Sequence, residues 1–150
     1  MAIEAHLIEV DPNDEVLSGT LSDDQIYDVL TSSRAVELGS SWKLAFPLAG
    51  SIAGTSDVLS EDTIDIGEGL GLGPARFIDL EQVAMIRARL ASADPATIKD
   101  HWARIDTPFS SADSKADDEL KQQAMNGYRT IVELFASAAA GSHGVLFAIM

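Results

Sequence analysis

The sequence predicts an α+β fold: several helices packed on a small, mostly antiparallel sheet. Three observations carry this. Helix-start signals recur, each followed by apolar residues at helical spacing. Short apolar runs bounded by turn residues stand near both ends of the chain. Between them, a segment with glycine on alternate positions reads as extended chain. At 150 residues the chain is read as one domain, residues 1–150, long enough to bury a real core.

The elements follow in order. His6-Leu7-Ile8-Glu9-Val10 reads as a strand, ended by the turn Asp11-Pro12-Asn13-Asp14. Ser22-Asp23-Asp24-Gln25 is a capping box, with Ser22 capping and Gln25 reaching back. The helix it opens has Ile26, Val29 and Leu30 on its apolar face. Ser40 to Phe46 starts a short helix that Pro47 should stop or kink. Residues 50–63, rich in Gly, Ser, Asp and Thr, read as loop, and Ile64 to Phe77 as extended.

Asp79-x-x-Gln82 is a second cap, leading Val83, Ile86 and Leu90. Asp94-Pro95, a cap followed by proline at the first helical position, restarts a helix with Ile98, Trp102 and Ile105 on one side. Thr107 to Lys115 reads as a mobile loop. The longest helix is expected over Asp117–Ala140, with Leu120, Ala124, Tyr128, Ile131, Leu134 or Phe135, and Ala138 as its buried stripe. Three acids occupy its first turn, where the helix dipole favours them. Gly141-Ser142-His143-Gly144 ends it, and Val145–Met150 reads as a buried final strand.

Charge is the abnormal quantity: 24 acidic against 10 basic residues, a net of −14. Residues 1–68 hold 14 of the acids against only Arg34 and Lys43; residues 69–150 are near balance, with 10 acids and 8 bases. Nucleic acid and anionic membrane surfaces are therefore disfavoured as partners. A basic protein partner fits, because an acidic patch steers a basic surface and raises its association rate. The plainer reading of the acidity is solubility. No apolar run approaches the ~20 residues that cross a bilayer, and Met1–His6 lacks a secretion signal's basic and apolar regions, so the expected compartment is the cytoplasm.

The search for chemistry nominates no catalytic residue, so the protein is expected not to be an enzyme. Cysteine is absent. His6, His101 and His143 show no metal-ligand spacing, and no metal or cofactor is expected. His101 reads as a helix-surface residue and His143 as a cap. The calcium-like run from Asp11 fails, with Val16 at its sixth position and Ser22 at its twelfth. No serine lies in a G-x-S-x-G elbow. Adjacent carboxylates such as Asp23/Asp24 read as solvated surface.

Gly67-Glu68-Gly69-Leu70-Gly71-Leu72-Gly73-Pro74-Ala75-Arg76-Phe77 is the most informative stretch. Gly67, Gly69, Gly71 and Gly73 would leave one face of an extended chain bare, open to a close backbone or ring, and glycine admits bends. Contact of backbone amides with a ligand is the rival reading; the run matches neither G-x-G-x-x-G nor the G-K-[ST] ending. Arg76 is read as clamping an internal acid such as Glu68 or Asp79, or else binding a ligand carboxylate.

This stretch resembles the G-[YL]-G-P-A-R-[YF] signature of the YfbM-like bacterial family, domain of unknown function 1877. Trp42, an apolar run and Gly50 resemble that family's W-x-x-[LI]-H-F-L-L-x-G element, although Ala45-Phe46-Pro47 stands where the family carries a His before the aromatic. The resemblance implies an α+β fold, bacterial origin and no established reaction. It marks Trp42, Gly71, Gly73, Pro74 and Arg76 as motif residues, structural or ligand-binding. The resemblance also implies an association: small proteins of this kind are sometimes found in bacterial toxin neighbourhoods, as members of the broad class of immunity proteins.

The expected function is accordingly an immunity-type inhibitor that occludes a basic toxin such as a nuclease, its carboxylates standing where phosphates would sit. Asp57, Glu61, Asp62, Asp65 and Glu68 are the first-choice partner-binding residues, with no base between Lys43 and Arg76; Asp23, Asp24 and Asp28 are the second. The alternative is a small-molecule binder or enzyme with a pocket near Gly71, Gly73 and Arg76.

Overall fold

The computed structural model describes residues 3–39, 41–55, 63–69, 73–104 and 114–150, with side chains of the last span from 118. Its centre is the antiparallel pair β1 (Ala5–Val10) and β5 (Gly144–Ile149), which align along their full length, Ala5 opposite Ile149 and Val10 opposite Gly144. β2 (Val36–Gly39) extends the sheet beside β1; β4 (Ala75–Ile78) and β3 (Ile64–Ile66) extend it beside β5. The order is β2-β1-β5-β4-β3, and every pairing is antiparallel.

Both faces of the sheet are covered, which explains why β5 is a continuous apolar run rather than an alternating one. Ala5, Leu7, Val145 and Phe147 face the larger core, built with α2 (Trp42–Ala53), α3 (Leu80–Ala91) and α5 (Ser114–Ala140). Ile8, Val10, Leu146 and Ala148 face a smaller core, closed by α1 (Asp23–Leu30) and the 3-10 turn Glu15–Leu17. α4 (Pro95–Arg104) rests outside the larger core. The expected stripe of α5 is realised from Ala124 on: Ala124, Tyr128, Ile131, both Leu134 and Phe135, and Ala138 are buried, whereas Leu120 is half-buried.

Four expectations are corrected. α2 runs through Pro47 and on through Gly50 to Ala53, so the first part of 50–63 is helix rather than loop. Proline removes one hydrogen bond, at a cost of ~3 kcal/mol in a helix interior. Burial of Leu44, Ala45, Phe46, Leu48, Ala49 and Ala53 offsets it. β2 stands where no strand was expected. Residues 64–77 do not run extended throughout: β3 and β4 form a hairpin, with Ile64 opposite Phe77 and Ile66 opposite Ala75. Gly67 and Gly73 lie outside the strands, both at positive φ, so the glycines serve the reversal and not a bare strand face. Of the expected loop over Thr107–Lys115, residues 107–113 lie outside the described residues, and Ser114 and Lys115 already belong to α5 rather than to a loop.

Candidate functional site

The site begins at the N-terminus of α1. The capping box is formed: the Gln25 N–H donates to Ser22 Oγ and the Ser22 N–H to Gln25 Oε1, at 3.3 and 2.9 Å. This orients Asp23 and Asp24 into the first turn, where the dipole stabilises both carboxylates. Asp23 Oδ1 then accepts the Glu68 N–H at 3.0 Å, which fixes the end of β3 against the helix. Between them Gly67 has φ +81°, and a Cβ there would lie 2.6 Å from Asp23 Oδ1 and 2.9 Å from Ile26 Cδ1.

The contact joins two acidic segments 45 residues apart. Glu68, Asp24 and Asp28 are exposed, with Asp24 and Asp28 four apart on one helix face. Asp28 and Asp14 also line a groove of about 320 Å³ between α1 and β1, with Glu9 and Arg34. Asp14 was not among the expected residues, because its proximity to Asp28 arises only when the 3-10 turn folds against α1.

Asp65 belongs elsewhere. The β3–β4 register sets it directly opposite Arg76, which is itself opposite Phe147 of the larger core, so both project from the other sheet face. Asp65 and Arg76 are exposed. Arg76 forms no ion pair with Glu68 or Asp79 among the described residues, so the expected clamp is not seen. Asp79 instead caps α3, accepting the Gln82 N–H at 2.9 Å. Gly73 and Pro74 are half-buried at the hairpin. Asp57, Glu61, Asp62 and Gly71 lie outside the described residues.

Trp42 serves as an anchor. Its indole donates to the Ile3 carbonyl at 3.1 Å, and its ring meets Phe46 edge-on at 6.0 Å, which in turn meets Phe147 at 5.7 Å. His101 is half-buried rather than a free surface residue, with Nδ1 2.7 Å from Ser51 Oγ. His143 follows α5, its N–H donating to Ala138 O, and Nδ1 is 3.3 Å from Glu9 Oε2.

One arrangement among the described residues brings three metal-capable groups together: Glu4, His6 and Glu37, whose ligand atoms lie within 4.8 Å of one another. Glu4 immediately precedes β1, two residues before His6, and Glu37 is opposite His6 on β2. The Glu4 carboxyl is raised from its ordinary range by hydrogen bonding with Glu37, then by burial and repulsion from Glu37, while His6 opposes the shift. The chemistry of the three suits a shared proton or a cation; the pairing of β2 with β1, which no local signal announces, brings them together.

No protein-family model and no curated protein matches the chain. Among solved structures it is similar to the crystal structure of YfbM from Escherichia coli, described as a protein of unknown function. The two are 17% identical, the match covers 98% of this chain and 99% of that one, and the TM-score is 0.67. The shared fold is that of YfbM over its full length, as the resemblance implied, and the neighbour brings no assigned activity. No described helix is long and apolar enough to cross a membrane.

Proposed function

We propose that the chain is a binding protein that presents the acidic end of its smaller core to a basic protein. In its narrower form, it is an immunity-type inhibitor that covers the cationic surface of a bacterial toxin. The observation that carries the reading is the Asp23–Glu68 hydrogen bond. It ties the Glu68 segment to the first turn of α1, which carries Asp24, with Asp28 one turn further on. Exposed carboxylates on a braced backbone steer a basic partner to them.

Membership of the YfbM-like family, domain of unknown function 1877, is part of the proposal. Gly73-Pro74-Ala75-Arg76-Phe77 and the shared fold support it. The narrower reading is tested by co-expression with each toxic product encoded beside the gene. Rescue of growth by the unaltered chain, and not by a folded D24K/D28K/E68K variant, supports it. Failure to rescue growth from any of them removes the inhibitor reading and leaves only the broader one.

A further inference from the structure

α4 is the least embedded helix of the fold: none of its residues is buried. Pro95, Ile98, Lys99 and Trp102 recur at helical spacing, and this stripe faces Lys121, Met125 and Arg129 of α5 across a groove of about 430 Å³. Ile98, Trp102 and Met125 pack on the larger core yet stay half-exposed. The volume and apolar lining match those of small-molecule sites.

The charge of this groove runs against that of the molecule. The chain has 24 acidic and 10 basic residues, but the lining holds Lys99, Lys121 and Arg129 and no carboxylate. None of these three cations forms an ion pair among the described residues. An apolar trough rimmed by exposed cations is complementary to a small molecule with an apolar body and one anionic end. A polyanion is excluded by the net −14, whereas a small anion feels chiefly the charges within a Debye length of ~10 Å.

We propose that the α4–α5 groove binds a small aromatic or aliphatic carboxylate, its apolar body on Ile98, Trp102 and Met125 and its carboxylate among Lys99, Lys121 and Arg129. This site lies across the sheet from the acidic face of α1 and stands independently of the protein-binding reading. Bound ligand would complete the burial of α4 and brace it on α5.

The test uses the full chain with naphthoate and its neutral analogue naphthamide. Calorimetry is expected to show saturable one-to-one binding of naphthoate, with the amide about tenfold weaker, as loss of a few exposed ion pairs gives. The Trp102 indole resonance should shift and the Trp42 indole should not. A K99Q/K121Q/R129Q variant should retain its fold by circular dichroism and bind about tenfold more weakly by the same reckoning. The proposal is overturned by absent or non-saturable binding, by equal affinity for the amide, or by unchanged affinity in the variant. Sedimentation showing a dimer that naphthoate does not dissociate would assign the groove to a second copy instead.

Discussion

Asp23 accepts the backbone N–H of Glu68 at 3.0 Å, and this bond ties together two acidic segments distant in the chain. Asp23 is half-buried and committed to its partner, whereas Asp24, Asp28 and Glu68 are exposed. The first is therefore a brace, and the others are the contact groups of the proposed interface.

The brace requires glycine at position 67. Gly67→Ala combines positive φ with a Cβ against Asp23 and Ile26, and is expected to destabilise the protein by about 1–3 kcal/mol. Gly69→Ala, with open space around it, should change stability by less than about 0.5 kcal/mol. Urea denaturation of the two variants checks the contrast; equal effects would remove the close approach as the cause.

Asp94 holds the start of α4. It accepts the Thr97 N–H at 2.8 Å, and bonding to the Thr97 backbone and hydroxyl, with Ala96, lowers its carboxyl below the usual range. The cap's contribution is therefore present above the unfolded-state pKa and is lost as pH falls through the lower folded value. Protection of the α4 amides, relative to their intrinsic exchange rates, should fall on acidification in that window, and Asp94→Ala should abolish that fall.

Glu4 has the opposite sign. Its carboxyl is raised chiefly by the hydrogen bond with Glu37, so its contribution is present below the unfolded-state pKa and is lost as pH rises through the folded value. A carboxyl-carbon NMR titration should place Glu4 above the chain's solvated glutamates. Glu37→Ala should bring it down towards them; no change would leave burial as the cause.

Much of the fold was legible because its signals are local. Ser22, Asp79 and Asp94 each accept from the backbone three residues on, as their spacing predicts. The apolar spacing of α3 and α5 likewise marks buried stripes. What was not legible depends on distant chain. β2 is four residues long and owes its existence to pairing with β1. The passage of α2 through Pro47 depends on the core it fills, and the hairpin at Gly67–Gly73 on pairing across the reversal.

The site shows the same division. Acid-rich composition pointed to Glu68, Asp24 and Asp28, but only the fold joins them. It also sets Asp65 opposite Arg76, a neighbour eleven residues on, despite the absence of an intervening base in the sequence.

The central claim is that the braced acidic face binds a basic protein. Affinity capture of the tagged chain from its native host at low salt, in parallel with folded D24K/D28K/E68K, tests it most directly. The expected result is one stoichiometric basic partner, identified by mass spectrometry, released as salt rises and missing from the variant. A partner retained equally by the variant, or an empty eluate from a host shown to express the neighbouring genes, would contradict it.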